Sequence, residues 1–104
     1  MDDVIRKHIE IVDKGSGPVA KIIGHRVNVS HIAMYHEHEG WSPKKIAEEL
    51  PTITLADVHA ALAFYYDNPE YMAEEAAAEE RFIEEFKRQH PHLVRDELRQ
   101  RVRG

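Results

Sequence analysis

Imidazoles and carboxylates are the commonest side chains in this sequence that could bind a metal ion or take part in catalysis. They are densest in one short run, which comprises His31, His36, Glu37, His38 and Glu39. A helical pair of zinc ligands needs two imidazoles on one face, about four positions apart. Here the spacings are five (His31 to His36) and two (His36 to His38). We therefore expect a solvated helix face, with no metal site and no cofactor.

Catalytic groups are also sparse. The chain has no cysteine, no serine or threonine in a nucleophile turn, and no glycine-rich phosphate loop. Its clustered carboxylates, such as Glu74, Glu75 and Glu79, suit the acidic face of a helix, which Lys87 and Arg88 partly balance. Because no motif carries a mechanism, we expect the protein not to be an enzyme.

Residues 40–66, GWSPKKIAEELPTITLADVHAALAFYY, predict two short helices joined by a tight turn. Ser42 is an N-cap followed by proline at the first helical position, Pro51 ends the first helix, and Thr54 caps the second. The predicted inward residues are Ile46, Leu50 and Ile53 between the helices and Leu55, Val58, Leu62, Tyr65 and Tyr66 along the second helix. Such a helix-turn-helix often places its second helix in the major groove, so DNA binding is the first hypothesis.

Polar residues around this unit are the candidate DNA contacts. They are Lys21, Arg26, Lys44, Lys45, Thr52, Thr54 and His59. The basic side chains suit contacts with phosphates. At the start of the second helix, Ala56, Asp57 and Ala60 are also expected to be exposed. This region contains no Arg, Asn or Gln that could read base edges. Residues 31–69 carry two Lys/Arg and six Asp/Glu, a net charge of −4. This charge opposes DNA binding, so a core and dimer surface without DNA remains an open alternative.

The preceding residues must position this unit. Residues 8–12, 19–23 and 26–29 are rich in β-branched side chains and separated by turn formers, which predicts three short antiparallel strands. Ser30 then caps a helix that ends at Gly40. Its predicted inward residues are Ile32, Ala33 and Tyr35.

After the second helix of the unit, Asn68-Pro69 breaks the chain and a helical arm follows. Residues 70–89 predict a helix with a sparse apolar stripe, and residues 93–102 a last short helix after Pro91. The candidate partner-binding residues are apolar anchors and a basic edge: Phe82, Phe86, Leu93, Arg95, Leu98, Arg99 and Arg103. A helix with such a thin apolar face rarely folds unaided. We therefore expect the arm to lie on its own domain, on a second subunit or on a partner protein.

The order of these motifs resembles a known family. The resemblance is carried by Gly24-His25-Arg26-Val27, Trp41-Ser42-Pro43-x-x-Ile46, Pro51, Leu55-x-x-Val58-x-x-Ala61-Leu62 and Tyr65-Tyr66. Over roughly residues 8–72 the chain resembles the small prokaryotic proteins catalogued as domain of unknown function 433, which are similar to VapB-type antitoxins. His25 and Asn28 depart from that family's usual Thr and Pro. The resemblance implies a three-helix, homeodomain-like helix-turn-helix domain, dimerisation and a toxin–antitoxin pair that regulates its own operon.

Length and composition bound the remaining expectations. A chain of 104 residues with 42% hydrophobic residues is one domain plus an extension, and no apolar run approaches the ~20 residues of a membrane span. Nothing marks the N-terminus for export, so we expect a cytoplasmic protein that does not contact membranes. We divide the mainly α-helical chain into a β element (1–29), a helix-turn-helix core (30–68) and an arm (69–104).

The expected function is antitoxin-like, with a partner toxin bound through the arm and operator DNA bound for autoregulation. We expect a homodimer. The alternative is a homodimeric structural or adaptor module that binds no DNA.

Overall fold

The computed structural model describes residues 3–13 and 15–92. Within them the chain forms five helices and one two-stranded antiparallel sheet. In chain order the elements are α1 (Asp3–Arg6), β1 (Ile9–Asp13), β2 (Pro18–Ile22), α2 (Val29–Glu37), α3 (Pro43–Glu49), α4 (Leu55–Asp67) and α5 (Pro69–Gln89). The prediction of a mainly helical protein with short N-terminal antiparallel strands is confirmed. The helix predicted over residues 93–102 lies outside the described residues.

The two strands pair in a register that puts Ile9 opposite Ile22 and Ile11 opposite Ala20. Ile9, Ala20 and Ile22 are buried, so this face of the sheet lies on the helices. The third strand predicted over residues 26–29 is wrong. The chain turns at Gly24, whose φ of 80° favours glycine, and only a single bridge joins Lys21 to Asn28.

Helix α2 begins two residues earlier than predicted, with Asn28 rather than Ser30 as its N-cap. The backbone N–H of Asn28 donates to Nδ1 of His31 at 3.3 Å, so a side chain in the first turn satisfies the cap. Val29 is fully buried, and burying it fixes the start of the helix. The helix ends at Glu37, and Gly40 follows with a φ of 71°, as expected for a residue that turns the chain after a helix.

Helices α3 and α4 begin at the predicted caps. The Ser42 hydroxyl accepts the Lys45 N–H at 3.1 Å, and the Thr54 hydroxyl accepts the Asp57 N–H at 3.0 Å. Residues 50–54 connect the two helices. Helices α2, α3 and α4 each contact the other two, around the buried side chains of Ile32, Ile46, Ile53 and Val58.

The buried face of α4 differs from the prediction. Leu55 and Tyr66 are exposed, whereas Ala60, expected to be exposed, is buried. The buried residues of this helix are Val58, Ala60, Ala61, Leu62 and Phe64. Helix α4 contacts α1, both strands, α2, α3 and α5, so neighbours on several sides bury more than one stripe.

The described helices include none with the length and apolarity needed to cross a lipid bilayer.

Candidate interaction site

The first half of α5 is fixed to the rest of the protein. The ring of Tyr71 meets the edge of the Phe64 ring, with centroids 5.5 Å apart, and Met72 is buried. One turn further, a carboxylate oxygen of Glu75 accepts the backbone N–H of Ala20 at 3.1 Å. The N–H of Ala20 lies on the side of β2 that faces away from β1, so α5 satisfies a donor at the open edge of the sheet.

The environment of Tyr71 and Glu75 disfavours charge. Burial raises the pKa of Tyr71 to about 12, and the nearby Glu75 carboxylate adds to the effect. Burial also raises the pKa of Glu75, although the hydrogen bond from Ala20 opposes the shift. Tyr71 therefore anchors the arm through the contact of its ring with Phe64, and Glu75 through its hydrogen bond to Ala20.

The second half of α5 carries large apolar side chains that the other described residues cover only in part. Phe82, Ile83 and Phe86 are 52%, 43% and 43% exposed. Counting 100° per residue, they fall on the same side of the helix as Met72 and Glu75, so the inward face of α5 continues along its second half. We call Phe82, Ile83 and Phe86 the arm stripe.

A groove of about 760 Å³ runs beside α5, between it, α2 and the end of α4. Apolar side chains cover most of its walls and floor: Ala33, Met34, Tyr65, Tyr66, Met72, Ala73 and Ala76. Glu37 and Glu79 line it as well. The Tyr66 hydroxyl donates to Glu37, and this bond raises the pKa of Tyr66. We call this surface the α2–α5 groove.

A second groove of about 530 Å³ continues from the first toward the sheet. The two share Ser30, Met34 and Glu79, and the second is also lined by Phe82 and Ile83 of the arm stripe. Apart from the histidines, the ionisable side chains of Asp, Glu, Lys and Arg type that line either groove within the described residues are Glu37, Glu75 and Glu79, all acidic. The combined surface is therefore apolar with an acidic border, which suits a helix that carries apolar and basic side chains.

The predicted DNA contacts lie on different elements. Four of them are exposed. Arg26 lies on the turn after β2 and Lys44 on α3, while Thr52 precedes α4 and His59 lies on α4. The hydroxyl of Thr54 is occupied, because it caps α4.

The other two lysines of this set have local partners. Lys21 lies 3.8 Å from a carboxylate oxygen of Glu10 and donates to the Ile22 carbonyl at 3.2 Å. Lys45 lies 5.0 Å above the ring of Trp41 and 3.9 Å from Glu49. Local carboxylates thus offset part of the positive charge on which DNA binding would depend.

The histidines of the central run bind the backbone of their own segment. The ring of His36 donates through Nδ1 to the Trp41 carbonyl at 2.8 Å, and Trp41 stacks on Tyr35 with centroids 4.8 Å apart. His31 accepts the N–H of Asn28. Within residues 3–13 and 15–92, no group of three or more His, Asp or Glu side chains is placed to hold a metal ion.

The structure brings together two of the predicted partner-binding residues, Phe82 and Phe86. The other five, Leu93, Arg95, Leu98, Arg99 and Arg103, lie outside the described residues. The sequence did not identify the groove beside α5, because its walls come from three helices. The one available signal was the run of small residues from Ala76 to Ala78, which leaves room beside a helix.

Comparison with known families gives one match. Residues 17–65 match the family described as "Protein of unknown function (DUF433)". This range includes β2, α2, α3 and most of α4, and it leaves out β1 and α5. The match supports the resemblance to that family in the middle of the chain. No curated protein and no solved structure matches the chain.

Proposed function

We propose that this protein is a non-catalytic, antitoxin-like binding protein whose α5 arm contacts a partner protein. The observation that carries the proposal is the arm stripe, where three large apolar side chains lie exposed on one helix face. Burying a fully exposed apolar side chain of this size contributes about 1.5–3 kcal/mol, so covering the half of each side chain that is still exposed favours association. The acidic groove beside it adds charge selectivity.

A toxin is the partner class that we propose. The support is the sequence resemblance of roughly residues 8–72 to VapB-type antitoxins; the family that residues 17–65 match is itself of unknown function. The sequence beyond the described residues adds Arg95, Arg99 and Arg103 at a spacing of four, which would form one basic edge of a helix. Such an edge could neutralise the carboxylate cluster of a ribonuclease active site.

Operator binding through a helix-turn-helix is the second part of the proposal. The mutual packing of α2, α3 and α4 and the short connection between α3 and α4 support this arrangement. Lys44 and Arg26 are exposed and would contact phosphates. Helix α4 contains no Lys, Arg, Asn or Gln, so recognition of base edges would be weak and a dimer or toxin complex would be needed.

The alternative function is a homodimeric structural or adaptor module that binds no DNA. The acidic charge of residues 31–69 favours it over DNA binding. The identity of the adjacent reading frame separates the two, since a short gene encoding a ribonuclease-like domain favours the antitoxin.

Co-expression of the full chain with the product of the adjacent gene tests the proposal. We expect the two proteins to co-purify and the chain to restore growth that the toxin inhibits. The double substitution Phe82→Asp and Phe86→Asp should abolish both effects. Leu55→Asp is the matched control, because Leu55 is an equally exposed apolar residue on α4. Co-purification and rescue that survive the double substitution would contradict the role of the arm.

A further inference from the structure

The arm stripe and the α2–α5 groove lie on the same helix, separated along its axis. The groove is lined by α5 residues from Pro69 to Glu79, whereas the stripe extends from Phe82 to Phe86. Phe86 is ten residues beyond Ala76, or about 15 Å along a straight helix. The stripe of one chain therefore cannot fill the groove of the same chain.

We infer that a second copy of this chain covers both surfaces in the free protein, with the two α5 helices antiparallel. A two-fold axis near residue 81 would place Phe86 of each copy opposite Ala76 of the other, and Ile83 opposite Glu79. Each stripe then fills a groove and each groove receives a stripe, as a closed two-fold interface requires.

Charge supports the same pairing. The groove is lined by Glu37 and Glu79, while Lys87 and Arg88 follow the stripe directly, are exposed, and pair with the exposed carboxylates of Glu84 and Glu85 on their own helix. The antiparallel arrangement brings the basic end of one α5 to the acidic border of the other groove, whereas a parallel arrangement sets like charges together. The alanines at positions 73 and 76, which line the groove, would allow the helices to approach closely.

This inference deepens the proposed function, because it names what occupies the arm when no partner protein is bound. The homodimer and the toxin complex would then compete for the stripe. The two proposals fail separately, since the mass of the free protein is measured without any toxin.

Light scattering after size exclusion and sedimentation equilibrium of the full chain test the inference. We expect a dimer, and we expect Ile83→Glu to raise the dissociation constant at least tenfold. The control Leu55→Glu, on an exposed part of α4, should remain dimeric. Circular dichroism distinguishes a folded monomer from an unfolded chain. A wild-type monomer at all concentrations, or a dimer that Ile83→Glu leaves intact, overturns the inference.

Charge exchange and cross-linking test the antiparallel register. Glu79→Lys and Lys87→Glu should each weaken the dimer, and the double variant should recover it. The chain has no cysteine, so Ala76→Cys and Lys87→Cys introduce single thiols. We expect an oxidised mixture of these two variants to form a covalent dimer and either variant alone to form little. Equal cross-linking by one variant alone would overturn the register. If the protein is a monomer and the thiols are protected from labelling, the occupant is the chain's own C-terminal segment and the inference is overturned.

Discussion

His8 and Asp57 lie 49 positions apart in the chain, yet Nδ1 of His8 is 2.8 Å from a carboxylate oxygen of Asp57. The other oxygen of this carboxylate accepts the backbone N–H of Thr54 at 2.9 Å. Asp57 thus completes the N-terminal cap of α4 and ties it to the residue before β1. The sequence assigned Asp57 to a surface facing DNA, whereas the structure gives it a role in holding α4 against the sheet.

Replacing Asp57 by alanine should destabilise the fold. The substitution removes the acceptor for Thr54 and His8 and leaves the cap incomplete, so we expect a loss of about 1–3 kcal/mol in the free energy of unfolding. Urea denaturation at neutral pH measures this loss. Asp67→Ala, at the exposed C-terminal end of the same helix, should change stability far less. Equal effects of the two substitutions would show that the contact with His8 contributes nothing.

Acid should remove the contribution of Asp57. Burial opposes ionisation of this carboxyl, but the hydrogen bonds from Thr54 and His8 outweigh it and lower the pKa of Asp57 below its ordinary value. The stabilisation is therefore complete above the unfolded pKa of about 3.9 and is lost as the pH falls through the lower folded value. We expect the stability difference between wild type and Asp57→Asn to shrink across this window. A difference that stays constant down to pH 2 would contradict the assignment.

Glu75 should respond differently to removal of its charge and removal of its acceptor. Glu75→Ala leaves the Ala20 N–H without an acceptor and should cost about 1–3 kcal/mol. Glu75→Gln keeps an oxygen acceptor without a buried charge, so it should match or exceed wild-type stability at neutral pH. Because the folded pKa of Glu75 is raised, protonation favours the folded state, and the advantage of the glutamine variant should vanish as the pH falls through that value. Urea titrations at several pH values measure both effects.

Any binding to DNA should depend on the exposed lysine at the start of α3. Lys44→Glu is expected to weaken binding to a labelled duplex of the protein's own promoter and to reduce the salt dependence by about one phosphate contact. Fluorescence anisotropy at two or more salt concentrations measures both quantities. Arg81→Glu makes the same change in charge on α5 and serves as the control. If the two variants bind equally well, the three-helix unit does not contact DNA through α3.

The sequence alone determined where α3, α4 and α5 begin. Ser42, Thr54 and Pro69 act at the first residues of α3, α4 and α5, as predicted, because a cap or a proline works through bonds to residues three or four positions away. The prolines and glycines between helices also act locally, on the backbone conformation of their own turn. These features need no information about what lies across the core, so their residue types suffice.

Only the tertiary structure decided which side of each element is buried and which polar groups meet. The predicted third strand is reduced to one bridge, because Val29 is buried at the start of α2 instead. Ala60 is buried and Leu55 exposed, because α4 has neighbours on several sides. Glu75 reaches Ala20 across 55 positions. Such contacts depend on the arrangement of several elements at once, and a local pattern contains no record of that arrangement.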